Sequence, residues 1–192
     1  MKIRLKNAVQ ISRQIISQAV KQADTVVDAT CGQGNDTLLL ARLVGPPGAV
    51  YSFDIQEDAL KAAQILLKAE NLTDRVKLIH DDHARVKEHI DQKIHAAMFN
   101  LGYLPGGNHL ITTKKETTIK AVDEILTMLV PGGIMTIVAY PGHQAGAEEL
   151  TELRNHLQQI PQQLFDVVEI TFLNQINQPP ELIVVQKTKE AL

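Results

Sequence analysis

The chain has 192 residues, 44% of them hydrophobic and 21% charged, with a net charge of −3. That is the profile of a soluble globular protein with enough apolar content for a core of its own. No apolar run approaches the roughly 20 residues that span a bilayer, and Lys2, Arg4 and Lys6 alternate with single apolar residues where a signal peptide would need an unbroken apolar stretch. A lone cysteine, Cys31, excludes an internal disulfide. The expectation is one domain over 1–192 in a reducing cytoplasm, with no membrane span and no structural zinc site.

Charge is unevenly spread. Residues 1–23 carry Lys2, Arg4, Lys6, Arg13 and Lys21 and no acid, whereas the remainder has 14 basic and 22 acidic residues. A basic N-terminal segment on an acidic body suits contact with nucleic-acid phosphates. It equally describes a solvated helix face.

Taken in chain order, the apolar positions 8, 9, 11, 15, 16, 19 and 20 predict a helix over Asn7–Gln22. A strand is expected at 25–29, a helix at 36–44, a turn at Gly45-Pro46-Pro47-Gly48, and a strand at 49–54. Glu57–Glu70 then reads as a helix, Val76–His80 as a strand, His83–Ile90 as a short helix and Ala96–Asn100 as a strand. A helix over Thr117–Leu129 should stop at Pro131-Gly132-Gly133, ahead of a buried strand at Ile134–Ala139. Glu148–Gln159 predicts the last helix, and strands at 165–172 and 181–187 finish the chain. Strand–helix alternation implies right-handed crossovers in an α/β fold, a seven-stranded and mostly parallel sheet with helices on both faces. Two successive strands at the end break the alternation and predict a C-terminal antiparallel hairpin on the sheet edge.

The most informative stretch runs from Val26 to Thr37, where Val-Val-Asp leads into Gly32-x-Gly34 and then an apolar run from Leu38. Glycines there let the backbone approach a ligand closely. Asp54 closes the next strand, and an acid in that place can accept hydrogen bonds from a ribose diol. Together these features describe a nucleoside-binding half-site.

Five stretches carry a closer likeness. They are Asp28-Ala29-Thr30-x-Gly32-x-Gly34-x-Asp36-Thr37, Phe53-Asp54-Ile55-Gln56, Phe99-Asn100-Leu101-Gly102-Tyr103-Leu104-Pro105-Gly106-Gly107, Tyr140-x-Gly142-His143, and Asn174-Gln175-x-Asn177-x-Pro179-Pro180. With these the chain resembles the Rossmann-like class I S-adenosylmethionine-dependent methyltransferases. More narrowly it is similar to the bacterial rRNA methylase family, associated with N-methylation of 5-aminomethyl-2-thiouridine at the tRNA wobble position. The resemblance implies S-adenosyl-L-methionine as cofactor and an RNA substrate, tRNA ahead of rRNA. A chain this small without an appended RNA-binding domain also suggests a homodimer.

On that resemblance the cofactor would lie against Asp28, Thr30, Gly32, Gly34, Asn35, Asp36 and Thr37. Asp28 would hold its ammonium group directly or through water, unless it only caps the turn. Asp54 would take the ribose hydroxyls, with Gln56 beside the sugar or simply opening the next helix. Asp82, or its neighbour Asp81, would meet adenine next to His83, while one of the acids could instead cap the short helix. Cys31 reads as a packing residue rather than a nucleophile.

Asn100-Leu101-Gly102-Tyr103 keeps the Asn and Tyr spacing of the Asn-Pro-Pro-Tyr loop of amino-methylating enzymes, with both prolines replaced. In that loop the Asn carbonyl accepts a hydrogen bond from the target amine and the aromatic ring stacks on the base. Tyr140 and His143 follow the fifth strand beside the same pocket, and His143 could take the ammonium proton. His109, Lys114 and Lys115 fall on a long connection that could cover the substrate. Rival readings are an rRNA substrate, a small-molecule amine or carboxylate methyltransferase, and a non-catalytic nucleoside-binding module or nicotinamide dehydrogenase.

Overall fold

A computed structural model describes residues 5–102 and 113–189. Asn7 opens the first helix, α1 (Ala8–Ala19), by accepting the Gln10 N–H on its side-chain oxygen at 2.9 Å. The chain continues through β1 (Thr25–Asp28), α2 (Asn35–Val44), β2 (Ala49–Asp54), α3 (Glu57–Ala69) and β3 (Val76–His80). A 3₁₀ turn at His83–Arg85 leads into α4 (Val86–His89), followed by β4 (Ile94–Asn100), α5 (Lys115–Met128), β5 (Leu129–Ala139) and α6 (Gln144–Leu157). The strands β6 (Phe165–Ile170) and β7 (Glu181–Lys187) end the described chain.

The seven strands form one sheet in the order β3-β2-β1-β4-β5-β7-β6. The first five are parallel, and β7 runs antiparallel between β5 and β6. The expected terminal hairpin is therefore present, its second strand lying inside its first. Alternate residues of each strand feed opposite faces: Val27 packs with α4, α5 and α6, while its neighbour Val26 packs with α1, α2 and α3. The strand order reverses between β1 and β4, and ligands of open α/β sheets bind at the carboxyl ends beside such a reversal.

Among the boundaries that differ from expectation, two have identifiable reasons. Pro131-Gly132-Gly133 does not separate α5 from β5, because α5 already ends at Met128 and the strand begins at Leu129. The triplet is instead absorbed as a register shift, between Ile94 paired with Leu129 and Ala96 paired with Ile134. Gly132 there has φ of +80°. Helix α6 starts at Gln144 rather than Glu148, since His143 acts as its N-cap by accepting the Gly146 N–H on Nδ1 at 3.1 Å. Histidine is not among the usual capping residues, so the sequence carried no start signal there. No helix among the described residues is long and apolar enough to cross a membrane.

Candidate active site

The carboxyl ends of β1, β2, β3, β4 and β5 open on a crevice of about 940 Å³. Its described wall includes Thr30, Gly32, Asn35 and Asp36 from the first loop, Asp54 and Gln56 from the second, Asp82 and His83 from the third, and Asn100, Tyr140 and His143 from the last two. Residues distant in sequence thus converge on one cavity. A smaller groove of about 450 Å³, lined by Leu157, Phe165 and Val167 among others, shares none of these residues.

Asp54 organises the entrance. Its Oδ2 accepts the Gly32 N–H at 2.8 Å and its Oδ1 accepts the Gln56 N–H at 2.9 Å. A carboxylate has about four acceptor positions, so lone pairs remain for a vicinal diol in the crevice. Asp54 also ties the glycine loop to the tip of β2, helped by the Cys31 N–H donating to the Phe53 carbonyl at 2.8 Å.

Three residues expected at the cofactor lie behind the loop instead. The Asp28 carboxylate is fully buried, accepting the Thr37 hydroxyl at 2.6 Å and the Thr30 N–H at 3.2 Å. Thr37 is itself buried and shares a 2.7 Å hydrogen bond with Ser52. Burial, reinforced by the charge of Asp36, pushes the Asp28 carboxyl up to about 7. Gly34 packs closely against α3: φ is +82° and a Cβ would sit 2.7 Å from that of Ala63. This triad shapes the loop from beneath and does not line the crevice. Cys31 is buried as well, its thiol pushed up to about 12 by burial and by Asp28, which suits a packing residue.

The third loop separates the two adjacent acids. Asp81 is engaged by His89 at 2.7 Å and by Arg85 at 3.1 Å, and these partners hold its carboxyl below the usual range. Asp82 caps the 3₁₀ turn, with Oδ1 accepting the Ala84 N–H at 2.8 Å, and both acids line the crevice. His83 is buried against Phe99 and donates from Nδ1 to the Ala29 carbonyl at 3.0 Å. Burial lowers its pKa, so the ring is neutral with the lone pair on Nε2.

At the opposite end, the Tyr140 hydroxyl donates to Asn100 Oδ1 at 2.9 Å, and the Asn100 N–H donates to Thr30 Oγ1 at 2.7 Å. The Asn100 side chain is thereby held with its oxygen in a set direction and one lone pair still uncommitted. His143 fits the proton-accepting role poorly. Its Nδ1 lone pair receives the Gly146 N–H, so in the neutral ring Nε2 carries the proton and acts as a donor. Gly146 makes this cap possible, because a Cβ would collide with the Tyr140 carbonyl and approach the His143 ring to 2.9 Å. Tyr103 and His109 lie outside the described residues, as do Lys2 and Arg4 of the basic segment.

Two wall residues, Arg13 and Gln178, and one buried residue behind the wall, Glu149, were missed from sequence. Arg13, counted above with the basic segment, lines the crevice and pairs with Asp36 at 2.6 Å. Gln178 reaches the crevice from the β6–β7 connection. Glu149, buried on α6, accepts the Thr113 hydroxyl at 2.8 Å and the Thr118 hydroxyl at 2.7 Å, and the Gly102 N–H in turn donates to Thr113 Oγ1 at 3.0 Å. An acid on the same helical stripe as Gly146, Leu150 and Leu153 was the available signal for Glu149.

Residues 50–186, more than two thirds of the chain, match the family model described as "Putative rRNA methylase". The chain belongs to this family. A crystal structure described as a "putative rRNA-methylase" from Clostridium thermocellum is 46% identical, covering 96% of this chain and all of that one with a TM-score of 0.94. A "putative methyltransferase" from Streptococcus mutans, solved in complex with SAH, is 35% identical over 96% of this chain and 99% of its own, with a TM-score of 0.87. A chloroplastic tRNA (mnm(5)s(2)U34)-methyltransferase of Arabidopsis thaliana is 39% identical over 155 residues, or 76% of this chain. The alignment spans 57% of that plant protein's length. Membership in the rRNA methylase family and the Rossmann-like sheet make S-adenosylmethionine the cofactor for which this crevice is built, and the wall described above fits it. It offers lone pairs on Asp54 for a diol, a carboxylate at Asp82 and the half-buried Gly32, with no side chain to keep a ligand off the loop.

Proposed function

We propose that the protein is an S-adenosylmethionine-dependent RNA N-methyltransferase that acts on the aminomethyl group of wobble 5-aminomethyl-2-thiouridine in tRNA. The carrying observation is that the Asn100–Tyr140 pair shares one crevice with Asp54 and the glycine loop. This sets an amine acceptor opposite a nucleoside cradle. The tRNA assignment draws its support from the plant relative.

When bound, S-adenosylmethionine supplies an electrophilic sulfonium methyl. The protein's part is positional and electrostatic. Asp54 takes the ribose hydroxyls, and Asp82 accepts from the adenine amine. Thr30 and Gly32 line the methionine side, while Asp28, Gly34 and Thr37 set the shape of that loop from below. Asn100 Oδ1 uses its remaining lone pair to accept an N–H of the substrate amine, turning the nitrogen lone pair toward the crevice. Tyr140 holds that carboxamide in place. Lys114, exposed at the crevice wall, and its neighbour Lys115 lie where RNA phosphates would arrive.

The test is incubation with labelled cofactor and bulk RNA from cells lacking the protein, with the labelled nucleoside identified by mass spectrometry. Label in a wobble 5-methylaminomethyl-2-thiouridine is the expected outcome. The family description favours rRNA as a second reading, and label in a ribosomal nucleoside would select it. Methylation of free amines without RNA would overturn both.

A further inference from the structure

The Asn174–Pro180 motif has no part in the reading so far, yet it reaches the site. Gln178 is one of the residues lining the crevice, and it neighbours Gly142, two residues beyond the Tyr140 that bonds Asn100. Its carbonyl packs 3.8 Å from the position a Cβ on Gly142 would occupy, so the two connections run side by side. Asn177 and Gln178 both adopt left-handed backbone, with φ of 64° and 48°. Asparagine tolerates that region, whereas glutamine rarely enters it. The conflict is sharper because Pro179 follows, and a residue before proline is steered to extended backbone.

The strained connection is firmly anchored. Arg154 of α6 binds Glu169 on β6 at 2.7 Å and Glu181 on β7 at 2.6 Å, clamping the strands on either side. Strain that persists in an anchored loop, on the wall of a ligand crevice, marks a residue held for a task. Leu173 and Ile176 on the same connection are 99% and 82% exposed, apolar side chains open to an unstacked base.

We propose that Gln178 is a substrate-binding residue whose side-chain amide hydrogen-bonds the edge of the target nucleobase. The inference rests on the RNA-methyltransferase reading above. A carboxamide pairs one acceptor with two donors, which matches the adjacent N–H and carbonyl on the edge of a uracil-type base. The contact lies on the acceptor side, so it contributes to RNA recognition and leaves cofactor binding alone.

The experiment compares wild type, Gln178→Ala and Gln178→Gly in tRNA methylation, SAH calorimetry and thermal melting. Gln178→Ala should raise KM for tRNA about tenfold with SAH affinity unchanged, as expected for the loss of one or two polar contacts. Gln178→Gly should raise KM to the same degree while melting higher than wild type, because glycine relieves the positive φ. Wild-type KM in both variants, with wild type active on tRNA, overturns the role of Gln178 and leaves the RNA reading standing. A wild type that binds SAH but methylates no RNA overturns the RNA reading, and the Gln178 assignment falls with it.

Discussion

The Tyr140 hydroxyl and the Asn100 side-chain oxygen meet at 2.9 Å across the tips of β4 and β5. Neither residue's register along its strand predicts this contact. It arises because β4 and β5 are parallel neighbours, with Asn100 opposite Val138, two residues before Tyr140. The pair leaves one Asn100 lone pair for a substrate amine. Asn100→Ala should therefore lower turnover by on the order of 100-fold, comparable to removing one preorganised polar group from a reacting centre. Tyr140→Phe removes only the restraint and should cost about fivefold, near 1 kcal/mol. Single-turnover kinetics alongside SAH calorimetry checks this, and cofactor affinity falling in parallel with turnover would contradict the assignment.

Asp54 joins the ligand cradle to the loop that builds it. Asp54→Ala loses the proposed diol acceptor and releases the Gly32 and Gln56 N–H groups. SAH affinity should drop about 10- to 100-fold, the range for charge-assisted hydrogen bonds. Circular dichroism should remain native. Calorimetry showing wild-type affinity would exclude the ribose role.

Asp28 predicts a pH dependence of stability. Its carboxyl titrates near 7 in the folded protein against 3.8 ordinarily. Between those values the folded state holds a proton that the unfolded state has released, so this group's contribution is full below about pH 4 and fades as pH rises through 7. Asp28→Asn, which mimics the protonated carboxyl, removes that loss. Its melting temperature relative to wild type should climb from pH 4 to pH 7 and level off above. A difference that stays flat across that window, followed by scanning calorimetry, would show that Asp28 is not held protonated.

Gly34→Ala tests whether the second glycine of the loop serves packing. The substitution puts a Cβ at φ +82° and 2.7 Å from Ala63 Cβ, combining left-handed strain with overpacking. The melting temperature should fall by roughly 5–10 °C. An unchanged melting temperature accompanied by weaker SAH binding would return Gly34 to the ligand surface.

Much of this protein is legible along the chain, because the information is local. The Val26-Val27 alternation, the Gly32-x-Gly34 turn, the acid at Asp54 and the strand–helix rhythm, broken only by the last two strands, each follow from side-chain periodicity and backbone freedom within a few residues. They determine the parallel sheet, its terminal hairpin and the place of the crevice. Tertiary structure alone decided which side of the loop each residue faces. Asp28, Gly34 and Thr37 share a motif with Thr30 and Gly32, yet packing against α3 and Ser52 turns the first three inward. Spatial convergence likewise brought Arg13 and Gln178 to the crevice from opposite ends of the chain, and gave the His143 lone pair to a helix cap. Contacts between residues far apart in sequence leave no periodic trace, since they depend on how sheet and helices close around one another.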